Sequence, residues 1–322
     1  MILVGDIGGT KTSLAIFKNN TLKIIKQEVY QSNQYKSFED ILLDFLAQNT
    51  FKIDKACFGV AGLVIENKAK ITNLSWKIKA SKIQKKFRIK KVKLLNDLEA
   101  TAYGMLYLKE KDFFLLNKGK NTKGNIAVIA AGTGLGEAIL NLENKQFYPL
   151  STEGGHCDFA PMNPLQDEFL VWLRKKYISH VSYERILSGE GILNIYEFLL
   201  ERGITPAISL ENASNKDEKI KLISKFAKNK DDNLAIKTME MFFEIYAAEA
   251  SNLALKSLCF GGLYIAGGIA LKNLEILENS NFLDSFYAKG RFESLMKNIP
   301  IKVSKNKDTA LIGAVKFAFE KL

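Results

Sequence analysis

Cysteine and histidine are scarce in this chain of 322 residues, and arginine is rare beside lysine. Three cysteines, Cys57, Cys157 and Cys259, stand about a hundred residues apart with no Cys-x-x-Cys pair. That spacing suggests neither a disulfide framework nor a zinc site and predicts reduced thiols in a cytosolic chain. Long apolar runs are missing too. The longest stretch free of charge, Ser257 to Leu271, is broken by four glycines and is shorter than the roughly 20 residues of a membrane span, so it reads as buried core. No basic segment precedes an apolar one at the N-terminus, and Asp6 arrives too early for a signal peptide, which predicts a cytoplasmic protein away from the membrane. The net charge of +11 is nearly all lysine, scattered with short clusters such as Lys85 to Lys91. Nucleic-acid readers favour bidentate arginine and interleaved aromatics, so a solvated basic face is expected, with anion steering as the alternative.

What is present is ordinary globular composition, 47% apolar and 25% charged, which argues against disorder and fibrous structure. The length exceeds a typical single core and predicts two lobes with a cleft. Alternation predicts a hairpin from Ile2 to Ile7 and Thr12 to Phe17, then a strand from Leu22 to Tyr30. Ser37-Phe38-Glu39-Asp40 reads as a capping box opening a helix to about Gln48. Strands at Lys55 to Val60 and Lys91 to Leu95 follow, the second leading into Asn96-Asp97 and a helix through Tyr107. Past residue 108 the pattern restarts. Asn125 to Ala131, the turn Gly132-Thr133-Gly134-Leu135-Gly136 and Glu137 to Leu142 echo the opening hairpin, as expected of two related lobes facing one ligand. Asn163-Pro164 predicts a helix start, Ser182 another, and Asp231 to Leu258 a long amphipathic helix. Asn212 to Lys230 reads as a polar surface excursion. A strand at Gly261 to Ala266, a strand near Ile301 and a helix from Asp308 to Leu322 complete the pattern.

Three glycine turns each follow an apolar strand: Gly8-Gly9-Thr10, Gly132-Thr133-Gly134 and Gly267-Gly268. Polyphosphate is held by backbone N–H groups that a Cβ would obstruct, although glycine at a hairpin tip is also common turn chemistry. The first turn fits neither the Walker nor the Rossmann spacing. Asp6 beside it would repel a triphosphate by about 1 kcal/mol per charge pair in water, and by more where water is excluded, unless a cation lies between. Mg²⁺ binds one or two carboxylates plus phosphate oxygens, so acid and glycine loop together suggest a metal nucleotide; a plain turn-side acceptor is the alternative. Asn96 and Asp97 end a strand where open α/β sheets place ligand-binding groups. Asp97 there is a candidate general base, Asn96 a candidate cap. Glu153, His156 and Glu184 complete a set of donors and acceptors suited to a polyhydroxylated ligand. His180 has no acidic neighbour in sequence and reads as structural.

In this order the segments GDIGGTKTSLAIF, ITNLSWKI, LLNDLEATAYGM, AGTGLGEAIL, STEGGHCDFAP, HVSYERILSGEGILNIYEFL and NLALKSLCFGGLYIAGGIALKN resemble the bacterial ATP-dependent glucokinases of the actin, hexokinase and Hsp70 superfamily. The resemblance covers nearly the whole chain and is most specific from Glu153 to Leu199. It implies an actin-like, ribonuclease H-like α/β fold with a ligand cleft between a small lobe, residues 1–107 plus the returning helix 308–322, and a large lobe, residues 108–307. It implies an ATP:hexose 6-phosphotransferase that makes glucose 6-phosphate, with ATP and Mg²⁺ as cofactors, and a homodimer by family habit. Gly5, Asp6, Ile7, Gly8, Gly9 and Thr10 would form the first phosphate loop, with Asp6 as its metal partner. Gly132, Thr133 and Gly134 would form the second, with Gly267 and Gly268 against the adenosine. Asn96, Asp97, Glu153, His156 and Glu184 would bind glucose hydroxyls, Asp97 taking the proton from the attacking 6-hydroxyl while lobe closure excludes water. Lys11 departs from the family, which often has Asn there, as the related ROK kinases have Lys; it is expected to face solvent. Cys157 alone, without the cysteine-rich zinc motif usual in ROK kinases, points to the branch without zinc. A sugar-sensing regulator is the competing reading, but such relatives normally carry a helix-turn-helix before the first strand; a kinase for another hexose is a further one.

Overall fold

The computed structural model describes residues 1–18, 21–47, 51–71, 74–120 and 122–322, and it divides into two compact units. The first unit comprises Met1–Asp112, Phe147–Ser151 and Asn306–Leu322. Its sheet starts from the expected hairpin, β1 (Ile2–Ile7) and β2 (Lys11–Phe17), whose register closes on Ile7 opposite Thr12. β3 (Ile24–Gln31) extends β2 on one side. Helix α1 (Phe38–Leu46) follows; its predicted end at Gln48 lies outside the described residues, as do Thr72 and Asn73 of the quoted motif. The expected capping box is not formed there: Ser37 Oγ turns to the Asp40 carboxylate at 2.8 Å and caps no backbone N–H. β4 (Lys55–Val60) runs parallel to β1. The short strands β5 (Val64–Ile65), β6 (Lys68–Lys70) and β7 (Lys77–Lys79) make a separate small sheet ahead of α2 (Ala80–Phe87). β8 (Lys91–Asn96) then joins β4 in parallel, giving the order β3-β2-β1-β4-β8, and leads directly into α3 (Asp97–Met105). Alternate residues of the strands feed two cores. Leu3, Ile7, Leu14, Phe58 and Leu94 pack with Phe38, Ile41 and Phe45 of α1 and Ile83 of α2, while Ile2, Val4, Ala15, Phe17 and Leu95 face the other way.

The second unit comprises Phe113–Gln146 and Thr152–Lys305. Its sheet repeats the first around a second hairpin. β9 (Phe113–Asn117) is an edge, and β10 (Ile126–Ala131) pairs antiparallel with β11 (Leu135–Glu143), closing on Ala131 opposite Leu135. β12 (Gln146–Ser151) follows β11 in the chain. Asn163 caps α4 (Pro164–Lys176) by accepting from Gln166 N–H, as the Asn-Pro pair predicts. Ser182 opens only a short 3-10 turn, Tyr183–Arg185, contrary to expectation. Its backbone is held by an antiparallel bridge to Asp158, and the helix begins later, as α5 (Gly189–Glu201) capped by Ser188. The stretch read as a polar excursion contains α6 (Lys216–Asn229), capped by Asn215, which buries Ile223 and Ala227. α7 (Asn233–Ser257) is the long helix expected, but it is more deeply buried than an amphipathic helix need be, since α5, α6 and the later α10 cover it. β13 (Gly262–Ala266) lies parallel to β10. After it come α8 (Gly268–Lys272), α9 (Leu274–Asn279), α10 (Phe282–Tyr287) and α11 (Glu293–Lys297), and β14 (Ile301–Ser304) lies parallel to β13. The core order β11-β10-β13-β14 therefore matches β2-β1-β4-β8 strand for strand. The echo seen in sequence is a topological repeat.

α12 (Thr309–Lys321) belongs to the first unit. Leu311, Ala314, Val315 and Ala318 cover Ile2, Val4, Cys57, Leu95 and Ala100. Its contact with α3 is made through glycines: a Cβ on Gly313 would lie 1.8 Å from the Ala100 carbonyl, and one on Gly104 would lie 2.1 Å from that of Thr309.

Candidate functional site

The tip of the first hairpin is fixed from below by Ser32. Its hydroxyl donates to the Gly8 carbonyl at 2.8 Å, its N–H donates to the Thr10 carbonyl at 2.9 Å, and Thr12 Oγ1 lies 3.0 Å from its Oγ. Gly8 N–H turns inward to the Lys11 carbonyl at 2.9 Å. Among the described residues nothing accepts from the N–H groups of Gly9 and Thr10. A tip whose Gly8 and Thr10 carbonyls are committed while two successive N–H groups stay unpaired is an arrangement that can receive an anion. Asp6, one strand position before Ile7, is partly buried, and no hydrogen bond to its carboxylate is made among the described residues. Burial pushes its carboxyl up to about 6, so the ionised form lacks compensation until a cation supplies it. That donor fits the divalent ion suggested by the sequence. Lys11 is exposed, as expected. Gly5 and Ile7 serve differently from their neighbours. A Cβ on Gly5 would lie 2.6 Å from Leu14 Cδ2, so packing demands that glycine, and the Ile7 side chain is wholly buried.

Asn96 and Asp97 stand at the C-terminal end of the parallel strands β1, β4 and β8, where Ile7, Val60 and Asn96 are in register. Asp6 is therefore two strands away, roughly 10 Å at the usual spacing. Asn96 caps α3 in a full capping box: its Oδ1 accepts from Leu98 N–H at 2.9 Å, and Glu99 Oε2 accepts from Asn96 N–H at 2.8 Å. Its Nδ2 donates to the Gly62 carbonyl at 3.3 Å. Asp97, the first helical residue, is partly buried, and its Oδ1 also accepts from Leu98 N–H at 2.9 Å.

In the second unit Gly132 N–H closes on the Gly134 carbonyl at 2.8 Å, and the Gly132 carbonyl accepts from Gly189 N–H at 2.9 Å. The N–H groups of Thr133 and Gly134 meet no acceptor among the described residues, as at the first tip. A Cβ on Gly132 would meet nothing within 4 Å, so the space above it is open. Gly267 lies beside this tip. It has φ +86, and its Cβ would fall 2.4 Å from the Ala131 carbonyl, so only glycine fits; the exposed Gly268 follows it.

Glu153 and His156 share one 3-10 turn, His156 N–H donating to the Glu153 carbonyl at 3.0 Å, so their side chains fall on one face. Both are exposed. The strap they start is paired with the Val181–Glu184 segment, Phe159 N–H to the Val181 carbonyl and Tyr183 N–H to the Cys157 carbonyl, each at 3.0 Å. Glu184 is thereby carried to the second tip, where its Oε2 accepts from Leu135 N–H at 3.0 Å. Gly155 is pressed against the Leu135 carbonyl, 2.1 Å from where its Cβ would be. His180 does have an acidic partner, Asp158 Oδ1 at 2.9 Å, which the same strap pairing brings to it from a distance in sequence. Ser32 and the Leu135 N–H contact to Glu184 had no sequence signal, since each joins segments tens of residues apart.

A glucokinase family model matches residues 3–321. The chain belongs to the glucokinase family. A glucokinase of Trichormus variabilis is 40% identical over 98% of this chain and 97% of its own. Among solved structures, glucokinase from an Antarctic psychrotroph has a TM-score of 0.84 at 30% identity, covering 98% of both chains. Glucokinase from Balamuthia mandrillaris, solved in complex with glucose, has a TM-score of 0.82 at 22% identity over 98% of this chain and 93% of its own. The fold is accordingly the actin-like α/β fold of that family.

Proposed function

We propose that this glucokinase-family chain transfers the γ-phosphoryl group of MgATP to the 6-hydroxyl of glucose, with Asp97 as general base. The observation that carries the reading is the placement of Glu184, whose carboxylate accepts from Leu135 N–H at a hairpin tip with unpaired N–H groups, while its own segment is paired to Cys157–Phe159, the strap that continues the Glu153–His156 turn. The second tip and the side chains of Glu153, His156 and Glu184 thus belong to one unit, joined by these hydrogen bonds. Asp97, Asn96, Glu153, His156 and Glu184 hold the sugar hydroxyls. Gly8 to Thr10 and Gly132 to Gly134 offer N–H groups to phosphate oxygens, and Gly267 and Gly268 leave backbone open to the adenosine. Asp6 would hold Mg²⁺, and the ion would supply neutralisation of phosphate charge. Asp97 accepts the proton as the 6-hydroxyl oxygen attacks, an effect worth roughly 10² to 10⁴ in rate. The same reading makes the protein a cytoplasmic homodimer.

A coupled assay with glucose, mannose, fructose and N-acetylglucosamine tests it. Glucose is expected to be turned over, and Asp97→Asn is expected to lower kcat at least about a hundredfold with glucose binding retained. Binding of glucose by the unaltered protein without any turnover would overturn the kinase reading in favour of a sensor, and near-normal turnover by the variant would remove Asp97 as base.

A further inference from the structure

Beneath the Glu153–His156 turn lies a group of buried polar side chains that the proposed reaction does not use. Glu137, on β11, is 2% exposed, and Glu249, midway along α7, is fully buried. The two carboxyls are within hydrogen-bonding reach of each other, yet Glu137 Oε1 accepts no hydrogen bond among the described residues, and Glu249 Oε1 has only the ion-pair contact of Lys256 Nζ at 3.5 Å. Two ionised carboxylates cannot face one another this way, because each presents only acceptors and both charges are shut off from water. One proton between them removes the repulsion and gives the pair a donor, as it does wherever buried like charges share a site. Burial and the charge of Glu249 push the Glu137 carboxyl up to about 8, against a smaller opposite pull from Lys256.

The pair is wired to the hydroxyl-binding set on two sides. Gly154 rests on it so closely that a Cβ there would lie 2.0 Å from Glu137 Oε2. Thr152 Oγ1 donates to the Glu137 carbonyl and accepts from Gly154 N–H, each at 3.1 Å. On the other side Asn252 Nδ2 donates to Glu249 Oε2 at 2.9 Å and to the Tyr183 hydroxyl at 3.2 Å, and Tyr183 immediately precedes Glu184. The titratable groups that face the pair are Lys256, with Nζ 3.5 Å from Glu249 Oε1, the Tyr183 hydroxyl beside Glu249 and the buried Tyr246 near Glu137, both phenols held above their ordinary range by burial and by those carboxylates, and, through Asn252, Lys289, whose Nζ donates to Asn252 Oδ1 at 2.7 Å. With one proton the pair carries one negative charge, which Lys256 balances.

We propose that Glu137 and Glu249 share a single proton and act as positioning residues for sugar binding, holding Glu153 and His156 through Gly154 and Glu184 through Tyr183; the inference rests on the sugar-binding reading above. Loss of the proton puts a second charge in the same space. The carboxyls then separate or take up water, and Gly154 and Tyr183, which touch them, shift. Glucose affinity therefore falls as pH rises past about 8, whereas kcat at saturating glucose holds.

The test measures glucose dissociation by calorimetry without nucleotide, and KM and kcat with it, from pH 7 to 9.5 in the unaltered protein and in Glu137→Gln, which keeps a donor at every pH. The unaltered protein is expected to lose about tenfold in affinity over that range and the variant to stay within twofold. Lys289 is the competing titrating group, since burial lowers its ammonium from the ordinary lysine range; a rise that persists in Glu137→Gln would assign the effect elsewhere and overturn the proposal. Flat affinity in the unaltered protein would do the same. A second readout keeps the two readings apart: amide exchange of residues 152–158, corrected for intrinsic base catalysis, together with the infrared band of a protonated carboxyl. If glucose never binds, the sugar reading fails, yet loss of that band and loosening of the turn above pH 8 in the unaltered protein alone still support the shared proton, and their absence refutes it. Glu249→Gln serves as the mirror variant should Glu137→Gln fail to fold.

Discussion

Asp6 shows how one side chain can serve the ligand at the expense of the fold. Its carboxyl binds a proton more tightly in the folded chain than in the unfolded one because burial raises it to about 6. The sign follows from linkage. Stability is highest below the unfolded value, declines as pH rises through the interval up to about 6, and stays lower beyond it, by up to about 3 kcal/mol. Asp6→Asn removes the charge at constant shape. Without metal it is expected to melt several degrees above the unaltered protein at pH 7.5, with the gap closing as pH approaches 4, while Mg²⁺-dependent turnover is lost. Equal melting at both pH values would refute the desolvation argument. At this scale the sequence was legible where chemistry is local: an acid beside a glycine tip announces itself. It was silent on Ser32, which braces Gly8 from 24 residues away, and on the Leu135 contact of Glu184, which spans 49. Those partnerships exist only once strands are paired.

Elements were legible in proportion to how local their hydrogen bonds are. Both hairpins follow from alternation and glycine tips, and α4 follows from Asn163-Pro164. The segment at Ser182 misled because its partner is the distant Asp158, whereas α7 formed as its pattern predicts and only the depth of its burial, set by helices packed from several sides, went unread. Glycines in the same motif also separate by role. Gly132 faces open space, so Gly132→Ala is expected to change stability by no more than about 0.5 kcal/mol while raising KM for ATP roughly tenfold. Gly5 is hemmed in by Leu14 and Phe58, so Gly5→Ala is expected to cost about 1–3 kcal/mol by overpacking, seen first in thermal melts. If Gly132→Ala binds ATP normally, the second tip is a turn and nothing more.

For the molecule as a whole, the helix that begins with Asp97 is seated by a helix from the far end of the described chain. Gly313→Val forces a side chain into the Ala100 carbonyl and is expected to lower the first unit's stability by about 1–3 kcal/mol and to reduce kcat, with Gly313→Ala intermediate. Calorimetry and turnover measured on the same samples check this, and unchanged kcat in a destabilised variant would show that α3 keeps its place unaided.

That seating has a consequence during synthesis. Ile2, Val4, Phe17 and Leu95 leave the ribosome early, but Leu311, Val315 and Ala318, which cover them, follow roughly 200 to 300 residues later, a delay of about 10 to 60 s at ordinary elongation rates. For that interval one face of the first sheet is greasy and uncovered, so the nascent chain is a natural client for a chaperone that shields apolar strands until α12 arrives.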